Sequence, residues 1–85
     1  MKDVEFSHTA LRQLQEWENN NTKIYNRIDD LLKAIQNEPF KGAGKPEPLK
    51  HQLKGYWSRR ITKEHRLVYK VTASSIIVVS CKYHY

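Results

Sequence analysis

The pattern of hydrophobic and polar positions opens with a strict alternation. In residues 2–6, Val4 and Phe6 point one way, and the acidic Asp3 and Glu5 point the other. A period of two over a short segment is that of a strand with one buried face. We therefore predict that the chain begins with a strand over 2–6.

Two consecutive segments then show the spacing of helices. In the first, apolar residues fall on one helical face at Leu11, Leu14 and Trp17. Ser7 or Thr9 would cap this helix, and the asparagines at 19–21 would end it, because their side chains compete with helical hydrogen bonding.

The second helix has the clearest periodicity in the chain. Its apolar residues recur at i, i+4, i+7, i+8 and i+11, namely Ile24, Ile28, Leu31, Leu32 and Ile35. Thr22 is predicted to cap this helix, and Pro39 to end it. Because the turn between the helices is short, we expect an antiparallel pair whose apolar stripe packs on a sheet.

The rest of the chain predicts a loop and three strands. Residues 40–49 contain two glycines and two prolines, which is typical of a loop. Segments 56–61, 66–71 and 76–83 are rich in aromatic and β-branched residues, and the connections between them are short enough for hairpins. The predicted fold is α+β: a single compact domain over 1–85, in the order β-α-α-β-β-β, with antiparallel C-terminal strands and both helices on one face.

Alternation within these three strands assigns side chains to the two faces of the sheet. The helix-facing set is Trp57, Ile61, Leu67, Tyr69, Val71, Ile77, Val79, Cys81 and Tyr83. The opposite set is Tyr56, Ser58, Arg60, Arg66, Val68, Lys70, Ser80, Lys82 and His84, and it is cationic. Arg59 falls on the apolar side, so we expect either a bulge at the start of the strand or a guanidinium that reaches out to water.

Positive charge is concentrated in one third of the chain. Residues 41–70 carry nine Lys or Arg against two Glu, a net +7, whereas the other 55 residues carry six against seven. Such a basic region on a small domain indicates a partner rich in phosphate, because Lys and Arg release condensed counterions when they bind it. Nucleic acid is the expected partner.

Composition narrows the class of protein further. The one cysteine, Cys81, excludes an internal disulfide framework, and no apolar N-terminal run predicts a signal peptide or a membrane span. We expect a cytoplasmic protein that does not engage membranes. The spacing of the histidines and of Cys81 fits no zinc site and no thiol catalysis, so neither a metal nor another cofactor is predicted.

The basic region contains each group that metal-free cleavage of RNA requires. A base must take the proton of the 2′-hydroxyl, an acid must protonate the departing 5′-oxygen, and cations must stabilise the phosphorane between them. Glu47 is the candidate base and His84 the candidate acid. The candidate phosphate ligands are Arg66 and Arg60, with Lys50 and Lys45 in support.

Each of these residues has a simpler interpretation. Glu47 would then be a solvated ion-pair partner, His84 a frayed terminal group, and Arg60 and Arg66 partners of Glu64. The remaining histidines, His8, His51 and His65, are expected to be surface groups. Trp57 and Tyr69 are expected in the core.

Four segments of the chain carry a resemblance to a known family. GKPEPLKH, GYWSRRIT, EHRLVY and the terminal CKYHY closely resemble the YoeB toxins of the RelE-like superfamily, and the similarity extends over nearly the whole chain. The resemblance implies a fold similar to small microbial ribonucleases. It also implies a ribosome-dependent endoribonuclease that cuts mRNA in the A site and is held inactive by a cognate antitoxin.

The same resemblance assigns roles to individual residues. It implies that Glu47 is the general base, Arg66 the phosphate-stabilising cation and His84 the general acid. Lys50, Arg60 and Tyr85 match positions that the family uses for substrate binding or site geometry.

Two alternatives to an enzyme stay open. A non-catalytic ribosome- or RNA-binding module would act without Glu47 and His84, although a carboxylate in its most basic loop would weaken phosphate attraction. A module whose basic groove accepts an acidic peptide is compatible with an antitoxin complex. The oligomeric state also stays open, with a homodimer as one alternative.

Overall fold

A computed structural model describes residues 2–83. Its elements in chain order are β1 (Asp3–Phe6), α1 (His8–Asn20), α2 (Thr22–Asn37), β2 (Glu47–Pro48), β3 (Trp57–Arg60), β4 (Arg66–Val71) and β5 (Ser75–Ser80). A single 3₁₀ turn, His51–Leu53, lies between β2 and β3. The predicted order is confirmed, with one short strand, β2, inside the segment predicted to be a loop.

All the strands belong to one five-stranded sheet in the order β1-β5-β4-β3-β2. Strand β1 runs parallel to β5, and the other neighbouring strands are antiparallel. The core lies between the helices and one face of this sheet. Its buried members are Ala10, Trp17, Ile28, Leu31, Ile35, Ile61, Leu67, Tyr69, Ile76, Val78 and Cys81. The predicted α+β fold with both helices on one face is confirmed.

The two helices are separated by a single residue, Asn21. Its backbone N–H donates to the Trp17 carbonyl at the end of α1, and its side chain accepts from Ile24 N at 3.2 Å at the start of α2. The prediction that Thr22 caps the second helix was therefore wrong, because asparagine is a strong cap and stands one position earlier. Ser7 caps α1, as predicted, by accepting from Ala10 N at 3.1 Å.

A β-bulge interrupts the pairing of the last two strands. Val68 lies opposite Ser80, whereas its neighbour Tyr69 lies opposite Val78. One residue of β5, Val79, is therefore extra between two regular pairs. A bulge of this kind inverts the alternation of the strand on either side of it.

The bulge changes which residues of β5 face the helices. Ile76 and Val78 are fully buried in the core, and so is Cys81 beyond the bulge. Ile77 pairs with Lys70 on the opposite side of the sheet. The prediction that Ile77 and Val79 face the helices was wrong, because it assumed unbroken alternation.

Candidate active site

A row of paired residues crosses the sheet face that lies away from the helices. Glu47 on β2 is opposite Ser58 on β3, and Arg60 on β3 is opposite Arg66 on β4. Directly opposed residues project to the same face of a sheet. The structure thus brings three of the predicted site residues, Glu47, Arg60 and Arg66, onto one face.

Glu47 and Arg66 form an ion pair within this row. Glu47 Oε1 lies 3.9 Å from Arg66 Nη1, and the side chains are 53% and 16% exposed respectively. This distance permits electrostatic attraction but is too long for a tight hydrogen bond. The carboxylate is thus open to solvent, whereas the guanidinium is mostly enclosed. Arg66 is thus paired with Glu47 rather than with Glu64, the partner that the simpler interpretation gave it.

The hydroxyl of Ser58 lies in the same row and is buried. Among the residues that the structure describes, its Oγ has no hydrogen-bond partner. Val68, the cross-strand neighbour of Ser58, is only 2% exposed. The centre of this face is therefore a buried strip, with the charged groups of Glu47, Arg60 and Arg66 around it.

The loop that leads to Glu47 is held by a buried arginine. Arg59 is 0% exposed, and its guanidinium donates four hydrogen bonds. The acceptors are the carbonyls of Glu38 (2.6 Å), Lys41 (2.8 Å) and Ala43 (3.0 Å) and the Tyr69 hydroxyl (3.1 Å). A buried guanidinium requires such acceptors, and here the loop supplies most of them.

Both predicted arrangements for Arg59 were wrong. Its pairing with Leu67 on β4 is regular, so no bulge is present there, and the guanidinium points into the protein rather than out to water. Sequence periodicity placed the side chain on the correct face. What it could not show is that the carbonyls of a loop more than 15 positions away in the chain surround that side chain.

Two clefts open along the segments that carry the predicted lysines. The larger, about 630 Å³, is lined by residues 47–53, so Lys50 shares it with Glu47. The smaller, about 280 Å³, is lined by Lys45 together with Arg60 and five further residues. The structure thus divides the predicted supporting cations between two clefts.

Beyond β5, the chain leaves the sheet earlier than predicted and contacts α1. The strand ends at Ser80, and Cys81 N–H donates to Gln13 Oε1 at 2.8 Å. Trp17 Nε1 donates to the Cys81 carbonyl at 2.9 Å, and Lys82 Nζ forms an ion pair with Glu16 at 2.8 Å. The prediction that Lys82 joins the cationic face was wrong, because the chain turns towards the helix here.

His65 holds the last described residue. Its Nδ1 accepts a hydrogen bond from Tyr83 N–H at 2.7 Å, and the Tyr83 carbonyl accepts from Arg66 N–H at 3.1 Å. The imidazole is buried, with the residue 8% exposed, and lies edge-on to the Trp17 ring at 4.8 Å. The prediction of a surface group was therefore wrong for His65.

The sequence contained a signal for this role of His65. The residue precedes Leu67 and Tyr69 by two and four positions, so it has the parity of the core face. Tyr83, predicted to face the helices, is 59% exposed, and its ring lies 5.3 Å from that of the buried His65. His84 and Tyr85, predicted as acid and substrate contact, lie outside the described residues.

Ionisation near this end of the chain follows from its contacts. Burial raises the pKa of the Cys81 thiol to about 12, with the nearby Glu16 charge as a smaller cause. The hydrogen bond and the charge of Lys82 lower the pKa of Glu16. The thiol is therefore protonated near neutral pH and is not a nucleophile there.

Two features are absent from the described part of the chain. Between residues 2 and 83, no group of three or more His, Cys, Asp or Glu side chains is placed to hold a metal ion. Neither helix of that part is long and apolar enough to cross a membrane.

Comparison with known proteins gives consistent matches. The model of the YoeB-like toxins of bacterial type II toxin–antitoxin systems matches residues 6–85. Toxin YoeB of Escherichia coli strain K12 is 54% identical over 69 residues, which are 81% of this chain and 82% of that protein.

Solved structures match over the whole chain. The YoeB/ParE toxin of Agrobacterium tumefaciens is 40% identical with a TM-score of 0.95, and the match covers 100% of both chains. The YoeB of Staphylococcus aureus, solved as a dimer, is 45% identical with a TM-score of 0.93 over 99% of this chain and 98% of that one. In a complex with YefM it gives a TM-score of 0.92 at 45% identity, over 100% and 99%. The chain belongs to the YoeB-like toxins of bacterial type II toxin–antitoxin systems.

Proposed function

We propose that this toxin is an endoribonuclease that cleaves mRNA in the ribosomal A site and thereby inhibits translation. The observation that carries the proposal is the Glu47–Arg66 pair, a solvent-open carboxylate 3.9 Å from a largely enclosed guanidinium on the sheet face away from the helices. A base and a phosphate-binding cation placed side by side are what attack by a 2′-hydroxyl on its own phosphodiester requires.

The proposed reaction uses the groups of this face in sequence. Glu47 takes the proton of the 2′-hydroxyl, and the 2′-oxygen attacks the adjacent phosphorus to give a pentavalent phosphorane. Arg66 stabilises the charge on its equatorial oxygens, because a fixed guanidinium in a partly enclosed site needs little reorganisation. Collapse expels the 5′-oxygen, which takes a proton from the acid, and leaves a 2′,3′-cyclic phosphate.

His84 is the proposed acid, on the strength of the family motif at the end of the chain. The described structure ends one residue earlier, with the Tyr83 carbonyl bonded to the backbone N–H of Arg66. This contact supports the proposal because it ties the C-terminal segment to the phosphate-binding residue. Arg60, Lys50, Lys45 and Tyr85 are the proposed contacts to the RNA outside the scissile group.

The proposal includes partners that resemble those of the relatives. The Staphylococcus aureus YoeB forms a complex with YefM and was also solved as a dimer. We propose that a cognate antitoxin binds this chain as well, and that a homodimer forms in its absence.

Neutralising the proposed base and acid tests the enzyme hypothesis. In single-turnover cleavage of mRNA on programmed ribosomes, Glu47→Gln and His84→Gln should each lower the rate by about 10²–10⁴-fold, the usual scale for a lost acid or base. Glu64→Gln is the matched control, a carboxylate in the same basic region outside the row, and should cleave at the wild-type rate. Ribosome affinity should not fall in any of the three variants, because none of them removes a lysine or an arginine.

The alternative hypothesis, a non-catalytic RNA- or ribosome-binding module, gives a different result. Such a module would inhibit translation equally well after Glu47→Gln and His84→Gln. Unchanged inhibition by both variants, with no cleaved mRNA, would replace the enzyme by a binding protein.

A further inference from the structure

The smaller cleft, beside the candidate active site, collects positive charge from three separate segments. Arg27 comes from α2, Lys45 from the loop before β2, and Arg60 and Lys63 from the segment that joins the end of β3 to the next turn. The other lining residues are Gly44, Ile61 and Thr62. The cleft, about 280 Å³ in volume, thus has four cationic residues and no acidic residue in its lining.

The wall of this cleft is a fixed backbone segment. The Gly44 carbonyl accepts from Arg60 N–H at 2.7 Å, and Gly44 has φ of +85°. A Cβ at this position would lie 2.9 Å from Leu31 Cδ2 and 3.1 Å from Arg59 Cβ, so only glycine fits. Lys45 follows with φ of +52°, a conformation uncommon for a residue with a side chain. The fold therefore holds the backbone of Lys45 in one defined position.

A compact turn fixes a second part of the lining. Thr62 Oγ1 accepts hydrogen bonds from the backbone N–H groups of Glu64 and His65, both at 3.2 Å. Ile61 N–H donates to the His65 carbonyl at 3.0 Å. Lys63 lies inside this turn and lines the cleft, whereas the acidic Glu64 does not.

The charges of the cleft are not balanced by neighbouring side chains. Within residues 2–83, none of Arg27, Lys45, Arg60 and Lys63 forms an ion pair or a side-chain hydrogen bond. The cleft also adjoins the candidate active site directly, because Arg60 lies opposite Arg66 across β3 and β4. An anionic chain bound at Arg66 can therefore continue into this cleft.

We propose that this cleft is a second phosphate subsite, which holds a backbone phosphate of RNA next to the one that is cleaved. Guanidinium and ammonium groups held on a fixed backbone suit a phosphate, which accepts hydrogen bonds on several oxygens. The subsite rests on the proposed function to the extent that its ligand is the RNA substrate. The same chemistry would also bind a phosphate of ribosomal RNA, which the experiment distinguishes.

The test compares two pairs of charge-neutralising substitutions. Arg27→Gln with Lys63→Gln removes two cations from the cleft, and Arg12→Gln with Lys23→Gln removes two exposed cations of the helices that do not line it. The probe is a single-stranded 2′-O-methyl oligoribonucleotide, which cannot be cleaved by 2′-hydroxyl attack. Its affinity is measured by fluorescence anisotropy over a series of salt concentrations, and thermal melting checks that each variant is folded.

The cleft pair should lower the salt slope, the change of log K with log salt concentration, by about 0.7–1, the value for one lost phosphate contact. The control pair should leave the slope unchanged. Because Arg27 is half-buried, the exposed Lys63→Gln alone is measured too, and should lower the affinity by itself. The same titrations on vacant ribosomes identify the source of the bound phosphate. A loss of affinity for the oligonucleotide indicates the substrate strand, and a loss of affinity for ribosomes only indicates ribosomal RNA.

Two results would overturn the subsite. One is an equal loss in both pairs, which would mean general charge attraction, and the other is no loss with either oligonucleotide or ribosomes. If the cleft pair weakened binding to a polyglutamate peptide but not to RNA, the cleft would be assigned to an acidic protein, and the subsite would be overturned too. A wild-type protein that shows the cleft-dependent slope but cleaves no RNA would overturn the proposed function and leave the subsite standing.

Discussion

Two irregular segments precede the candidate catalytic residues Glu47 and His84 in the chain, and the fold holds these two segments in opposite ways. Residues 38–46, which lead to Glu47, are tied down mainly by one fully buried side chain, Arg59, through three loop carbonyls. Residues 81–83 are instead held by separate contacts to α1 and to His65.

The two segments should therefore respond differently to the loss of a single side chain. Removing one guanidinium withdraws the donors from three part-buried carbonyls at once, and leaving such a group unsatisfied costs more than the net gain from a hydrogen bond. The C-terminal contacts involve different partners, so each can be lost alone. The loop should therefore fail as a unit, and the C-terminal segment should loosen by degrees.

Arg59→Met should have the largest effect on stability. The methionine side chain fills part of the space of the arginine but leaves the carbonyls of Glu38, Lys41 and Ala43 without their donor. We therefore expect a loss of about 3 kcal/mol in the free energy of unfolding. The measurement is urea unfolding followed by circular dichroism. Arg60→Met, at the exposed neighbouring position, is the control and should stay within about 0.5 kcal/mol of wild type. Equal stabilities for the two variants would refute the anchoring role of Arg59.

His65→Phe should have an intermediate effect. The phenyl ring keeps the contact with Trp17 but cannot accept the Tyr83 N–H, so we expect a loss of about 1 kcal/mol. If residues 81–83 position the acid, the rate of single-turnover cleavage should also fall about tenfold, while the substrate affinity is retained. A tenfold fall in rate corresponds to an increase of about 1.4 kcal/mol in the activation barrier. His65→Asn offers an oxygen near the position of Nδ1 and should recover part of the rate. Recovery of stability without recovery of rate would reduce His65 to a packing residue.

Lys82→Gln should have the smallest effect, and one that depends on pH. Lys82 lowers the pKa of Glu16 in the folded protein, so the pair contributes stability above the ordinary carboxyl pKa, and the contribution is lost as pH falls through the lowered value. Melting temperatures of wild type and variant should therefore differ near neutral pH and converge in acid. Alkylation of Cys81 reports local opening, because its pKa of about 12 keeps the buried thiol unreactive while the segment is closed. An identical difference at every pH would contradict the ion-pair account.

The hydrophobic pattern of the sequence predicts the side-chain directions correctly in some strands and not in others. Alternation correctly placed Arg60 and Arg66 on one face, because β3 and β4 pair without irregularity there. It failed in β5, since a bulge at Val79 changes the parity and leaves no mark in the hydrophobic pattern. For Arg59 and His65 the parity was informative, and both residues proved to be buried on the inward side.

What the sequence could not show for Arg59 and His65 is the identity of their partners. Arg59 binds a carbonyl 21 positions away, and His65 binds a backbone N–H 18 positions away. Periodicity reports which way a side chain points but not which distant backbone group it meets. A polar residue at an inward position is therefore better treated as a candidate anchor than as an error in the pattern.

The central claim, cleavage by 2′-hydroxyl attack at the Glu47–Arg66 pair, is tested most directly by removing the nucleophile from the substrate. Ribosomes are programmed with an mRNA that carries a single 2′-deoxy nucleotide on the 5′ side of the cleaved bond, and the products are compared with those of the all-ribose mRNA. The account predicts a 2′,3′-cyclic phosphate and a 5′-hydroxyl from the ribose substrate, and no cut at that bond in the deoxy substrate. Cleavage of the deoxy bond at the normal rate would contradict it.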